Sequence, residues 1–207
     1  MTHLTRLSWN SNGWKVPSGR ENKCKGTGDV QLFECIYGFG WEEWLFHFIT
    51  HTDGYCYGFL ECFNYNGRQA ELINELYLYT RKCTLSCDRK SDSTNYYVGK
   101  INKVEVLGRE HRDIIYQVIQ QNEIEMKENM RDAGVEGYEA LYNEMKECRS
   151  VFNIRFKKEN VQISNLDYNK RRLDLPKGLY RFWLYEISNR NNLMEQINNF
   201  LKHLTKN

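Results

Sequence analysis

The sequence predicts an α+β fold: a curved, mostly antiparallel sheet or a small β-barrel, flanked by helices. Three observations predict it. Strand-like segments come in local groups separated by turn signals, and the regular βα alternation of a doubly wound parallel sheet is absent. A long run with helical periodicity, residues 109–149, interrupts those groups. The composition, 41% hydrophobic and 27% charged, suits a packed core and not a disordered chain. At 207 residues the expectation is a single domain, 1–207, with a long N-terminal loop at 10–40 and a C-terminal helix.

The elements follow in order. Leu4–Trp9 alternates weakly and reads as a first strand. Residues 10–40 are polar and punctuated by Asn12-Gly13, Pro17-Ser18-Gly19 and Gly26-Thr27-Gly28, which mark a loop. A loop of that length in a compact domain is usually functional. Trp41, Trp44, Leu45 and Phe48 then fall at helical spacing, with Glu42 and Glu43 in the first turn, so Trp41–His51 reads as a helix. Gly54–Tyr65 is aromatic and β-like, and Asn66-Gly67 is a hairpin signal. Glu71–Cys83 favours strand over short helix. Cys87–Asn95 reads as a turn and Tyr96–Leu107 as the clearest strand, with Gly99 at a bulge. Arg109–Ala133 reads as one long helix ended by Gly134, and Glu136–Arg149 as a second. Val151–Ile163 and Tyr180–Ile187 read as strands, and Asn191–Leu204 as an amphipathic closing helix.

Charge and thiols narrow the function. The net charge is +2, so any nucleic-acid contact must come from a local patch. Residues 15–25 (Lys15, Arg20, Lys23 and Lys25 against Glu21) carry +3, and residues 168–181 (Lys170, Arg171, Arg172, Lys177 and Arg181 against Asp174) carry +4. Residues 134–147 carry −3. The seven scattered cysteines fit free thiols in a reducing cytoplasm. No apolar stretch is long enough to span a bilayer, so no membrane partner is expected.

Motifs for chemistry are sparse. His47 and His51 have i, i+4 spacing, but Phe48 stands where a zinc helix of the H-E-x-x-H kind has Glu. Cys83 and Cys87 lack a second pair at finger spacing, so no metal or other cofactor is expected. Glu125-Met126-Lys127 spells a nuclease-like E-x-K inside a helix, where i, i+2 side chains diverge. Neither a phosphate loop nor a G-x-S-x-G elbow occurs. No catalytic residue is therefore assigned. A Mg-dependent nuclease with a dispersed site around Asp53 and Glu61, and a protein-interaction module, stand as alternatives to a binding role.

The aromatics carry the main expectation. Trp9, Trp14, Tyr37, Phe39, Trp41 and Trp44 crowd the first fifth of the chain, interleaved with Asn10, Ser11, Asn12, Lys15, Ser18 and Arg20. An indole in an Asn/Ser/Gly loop suits stacking on a nucleobase, worth about 1–3 kcal/mol per base. Asn side chains can read a base edge, and Lys and Arg can hold phosphates. The expected base-binding residues are Trp9, Asn10, Asn12, Trp14, Tyr37 and Trp41. The expected phosphate-binding residues are Lys15, Arg20, Lys23, Lys25, Arg171 and Arg172. Core packing is the competing role, strongest for Trp41 and Trp44; Trp183, between Phe182 and Leu184, could face either side.

The run Leu7–Trp14 (Leu-Ser-Trp-Asn-Ser-Asn-Gly-Trp), Pro17-Ser18-Gly19 and the run Tyr37–Phe46 (Tyr-Gly-Phe-Gly-Trp-Glu-Glu-Trp-Leu-Phe) resemble the opening module of bacterial proteins joined to an HNH nuclease. Glu75–Thr80, Tyr96–Leu107 and Phe152–Phe156 resemble strands of EVE-type domains, of the PUA-like group that includes YTH and ASCH domains. The resemblance covers most of the chain as an order of elements. It implies a β-barrel with an aromatic cage for a modified base in DNA, flipped out of the stack. It also implies a modification-dependent restriction or defence system. No HNH segment follows in this chain, so a nuclease would be a separate subunit or a further domain.

Overall fold

The computed structural model describes residues 2–21, 23, 33–64, 71–85, 91–148, 151–165, 167–175, 179, 183–187, 195, 197, 199 and 202. Strand β1 (Thr2–Leu7) opens the chain. After the loop come α1 (Phe33–Tyr37), a 3-10 turn at Trp41–Trp44, β2 (Cys56–Gly58) and a 3-10 turn at Glu61–Phe63. The long strands β3 (Leu72–Leu85) and β4 (Ser91–Val106) follow. Three helices, α2 (Arg112–Gln121), α3 (Glu123–Asp132) and α4 (Tyr138–Cys148), precede the short strands β5 (Ile154–Phe156), β6 (Val161–Ile163), β7 (Arg172–Leu173) and β8 (Tyr185–Glu186). Residues 195, 197, 199 and 202 are helical.

The fold is α+β, and the described residues build one mixed eight-stranded sheet with the order β2-β5-β4-β3-β1-β8 and with β6 and β7 also bonded to β4. Among the described residues only the β1–β3 pairing is parallel. The β3–β4 pair is the spine, and both its faces are covered. Ile73, Leu76 and Leu78 with Val98, Ile101 and Val104 enter one core. Tyr77, Tyr79 and Tyr97 with Leu4 enter another, beneath Leu173, Leu175, Ile187 and Ile197. A strand buried on both faces has no need of polar alternation, which is why 76–80 are buried without a break. The pairing shifts register between Leu78, opposite Gly99, and Tyr79, opposite Tyr97. Gly99 is required there: a Cβ would stand 2.3 Å from the carbonyl oxygen of Gln162 on β6.

Several expectations are corrected. Trp41–His51 is not an α-helix. Glu43, Leu45 and His47 donate to Gly40, Glu42 and Trp44, three residues back, while Phe46 N–H turns to Trp14 O at 2.8 Å. Phe48 then takes a left-handed φ of 58° and ends the run. The expected helix 109–133 is broken at Asn122, whose φ, ψ of −106°, 12° leaves the helical region and whose side-chain amide donates to Val118 O at 2.7 Å. Gly134, at φ 71°, stops α3 as expected. The strand at 96–107 starts earlier, at Ser91. Cys56 and Cys62 are free thiols, but Cys83 is disulfide-bonded, against the expectation of free thiols throughout. Asn66-Gly67, Lys25 and Cys87 lie outside the described residues. Among the described residues no helix is long and apolar enough to cross a membrane.

Candidate nucleic-acid interface

The N-terminal loop is organised around two adjacent buried carboxylates. A buried charge must be hydrogen-bonded or paired, and the polar residues of the loop do this. Glu43 accepts from Asn10 Nδ2 at 2.6 Å, Ser18 N at 2.8 Å, Ser18 Oγ at 3.0 Å and Gly40 N at 2.7 Å. Lys23 Nζ lies 3.0 Å from Glu43, with both side chains at or below 1% exposure. The ammonium also donates to Gly38 O at 3.1 Å, to Ser18 Oγ and to Gly19 O. Burial raises the Glu43 carboxyl above its usual range, against the charge and hydrogen bond of Lys23. Glu42 accepts from the backbone N–H of Ser8 at 2.9 Å and of Glu61 at 3.3 Å.

This knot decides the fate of the expected site residues. Asn10 is fully buried; its amide donates to Val16 O and Glu43, and its oxygen accepts from the N–H groups of Asn12 and Trp14. It holds the loop and has no base edge to read. Trp14 is 1% exposed, packs edge-on against Phe46 and donates its indole N–H to Ser8 O at 3.0 Å. The expectation of an open indole seat at Trp14 is therefore overturned: the ring is core, because folding the loop over Glu42 and Glu43 carries it inward. Asn12 donates to Pro17 O within the same loop. Tyr37 and Trp41 are half-buried and belong to a separate ring group with Phe33, Phe39 and Trp44. The six expected base-binding residues thus do not form one cage. Of the expected phosphate ligands, Lys23 is sealed in its ion pair and unavailable. Lys15 is exposed, and Arg20 is exposed but bonded to Ile36 O.

Trp9 and Arg172 converge elsewhere, on the outer half of the β3–β4 pair. Tyr96 on β4 pairs with Thr80 on β3 and with Arg172 on β7. Side chains paired across a ladder share a face, and so do i, i+2 neighbours on a strand. Thr80, Lys82, Tyr96 and Arg172 therefore project together. Trp9 packs on Tyr96 with ring centroids 6.1 Å apart, and Lys82 Nζ lies 5.2 Å over the indole. Thr80 Oγ1 donates to Leu7 O and Ser8 O, which pins the chain entering Trp9 to this face. Trp9 itself is 5% exposed, so it is the floor. Tyr96 and Lys82 are half-buried above it, Arg172 and Lys170 are exposed, and Arg171 is half-buried in a 3-10 turn entering β7. Lys82 and Tyr96 escaped the sequence reading; the paired polar runs Thr80–Lys82 and Thr94–Tyr96 were the available signal.

The rival chemistry finds less. Asp53 accepts from Tyr57 Oη at 2.7 Å and the Tyr55 N–H at 3.0 Å, and Arg155 lies 3.7 Å away. Arg155 is bound in turn by Glu105 at 2.8 Å. Burial raises the Asp53 carboxyl, but the Tyr57 and Tyr55 hydrogen bonds and neighbouring cations outweigh it and hold it below its usual value. His47 pairs with Glu125 on α3 at 3.0 Å, while His51 contacts Thr52. Lys127 turns to Glu123, away from Glu125. Among the described residues no three His, Cys, Asp or Glu side chains are grouped to hold a metal ion.

The fold and this face define an α+β protein with an aromatic, cation-rich hairpin surface. No family model, no curated protein and no solved structure matches the chain.

Proposed function

We propose that this protein binds nucleic acid through the Lys82–Tyr96–Arg172 face. The observation that carries the reading is the stack of Lys82 over Trp9 against Tyr96, with Arg172 next in the ladder. Tyr96, half-exposed, offers a ring for a base, and Lys82, Lys170 and Arg172 supply phosphate contacts. In line with the resemblance described above, the proposed target is a modified base in DNA, flipped out and read within a cytoplasmic restriction or defence system whose nuclease is a partner or a further domain. The sheet would then be a variant of the PUA-like barrel.

The test measures binding of short duplexes, with unmodified, methylated or hydroxymethylated cytosine, by fluorescence anisotropy between about 50 and 200 mM salt. Affinity should fall steeply with salt. The double variant Lys82→Ala/Arg172→Ala should lower the log–log salt slope by about 1.8, at about 0.9 per lost phosphate contact. Salt-independent binding, or an unchanged slope in the double variant, would remove the assignment. Equal affinity for all duplexes would confine the function to general nucleic-acid binding.

A further inference from the structure

The β3–β4 hairpin outruns the sheet that holds it. Its core residues end at Tyr79 on β3 and at Tyr97 on β4. Pairing with β1 ends at Thr80, and pairing with β7 ends at Asn95. The two strands nevertheless stay paired from Lys82–Thr94 to Leu85–Ser91, four further rows. Among the described residues no third strand pairs with those rows. At about 3.4 Å per residue they make a two-stranded arm about 14 Å long. A hairpin with no third strand is marginal in water, and this one is braced near its root. Arg81 Nε–H donates to Asn95 Oδ1 across the ladder at 3.0 Å, and Cys83 is disulfide-bonded.

The arm has two distinct faces. Lys82 and Thr94, both half-buried, share the side of Tyr96 and Arg172, while Cys83 and the exposed Ser93 take the other. The root on the Lys82 side is cationic, with Arg172 and Lys170 exposed. Size and charge together choose the occupant. The major groove of B-DNA, about 12 Å wide and 8.5 Å deep, admits a two-stranded ribbon, and the minor groove, about 6 Å wide, does not. Phosphates line its rim, where cations at the root of a ribbon reach them. We propose that the β3–β4 arm lies in the major groove of duplex DNA on its Lys82–Thr94 face, with the Thr94 hydroxyl on a base edge and Lys82, Lys170 and Arg172 on the flanking phosphates. A hydroxyl both donates and accepts, so Thr94 can meet either kind of edge group. The 5-position of a pyrimidine opens into this same groove. The proposal deepens the reading of the Lys82 face as a nucleic-acid surface and rests on it: Tyr96 takes a base at the root while the arm follows the groove beside it.

The full chain is titrated with a fluorescein-labelled duplex of about twenty base pairs, two helical turns. The bound complex is then challenged with methyl green, a major-groove ligand, and with netropsin, a minor-groove ligand. Methyl green should displace the protein and netropsin should not. Thr94→Val keeps the β-branched shape and removes the hydroxyl. It should weaken binding about fivefold and leave the salt slope unchanged, because Thr94 holds no phosphate; Lys82→Ala/Arg172→Ala lowers that slope. Ser93→Ala, on the opposite face, should bind as wild type does. Any other pattern of displacement, or wild-type affinity in Thr94→Val, overturns the placement of the arm; if Lys82→Ala/Arg172→Ala is still weakened, the Lys82 face stands without it. No duplex binding by the wild-type chain at low salt overturns both.

Discussion

Glu42 and Glu43 show how one pair of residues reassigns a whole loop. Two adjacent carboxylates at 0% exposure cannot be left bare, and the loop from Ser8 to Lys23 wraps them with amide, hydroxyl and ammonium donors. Asn10 and Ser18, which suggest a base-reading surface, are consumed in that task, and Asn12 is tied to Pro17 O in the same loop. Trp14 becomes the lid of the knot, its indole in the core with Phe46. Trp14→Ala is expected to destabilise the protein by about 3–5 kcal/mol, the cost of deleting a large buried aromatic. Urea unfolding checks this; a loss under about 1 kcal/mol would mean that the ring is not core.

At the scale of elements, the helical layer is held by its apolar stripe and by one carboxylate. Ile115, Val118 and Ile119 of α2, Met126 and Met130 of α3 and Tyr142 and Met145 of α4 share a core with Phe39, Trp44 and Tyr57. Glu123 binds Lys127 on its own helix at 2.7 Å and Lys146 on α4 at 2.9 Å. The Lys127 and Lys146 hydrogen bonds hold its carboxyl below the usual value. A lowered carboxyl contributes stability that is present above the unfolded value, near 4.5, and is lost as pH falls through the folded value. Glu123→Gln should therefore melt lower than wild type at pH 7, and the gap should close on acidification below the usual carboxylate range. The pairs are partly exposed, so the gap is small, about 0.5–1 kcal/mol. Melting curves across pH decide it; a gap independent of pH would assign the loss to packing.

For the molecule as a whole, one sheet separates two surfaces at the outer half of the β3–β4 pair. Lys82, Tyr96 and Arg172 project to one side, and Arg6, Tyr79 and Arg81 to the other. Their charges concentrate a field that a net charge of +2 does not reveal. The tryptophans differ as widely, with Trp41 half-buried between the extremes. Trp9, Trp14 and Trp44 are 5%, 1% and 1% exposed, against 63% for Trp183. Trp183→Phe is expected to remove most of the iodide-quenchable tryptophan emission. Retention of that quenching would place Trp183 in a covered position and withdraw it from any binding surface.

The α+β class, the strands at 96–107 and 71–83, the helices near 109–149 and the stop at Gly134 were legible from periodicity and turn chemistry, because those are local properties of the chain. The direction in which the loop folds was not legible. Burial of Glu42 and Glu43 is decided by donors that arrive from up to 34 residues away, and no local pattern records that contact. The convergence of β7 on Tyr96 and of β1 on Tyr79 is likewise a property of sheet order. By itself the sequence determined the α+β class, the long strands and the helical run near 109–149, and that aromatic residues abound. Tertiary structure alone decided which rings are filler and which stand beside cations, because burial depends on what packs across the chain and not on what adjoins along it.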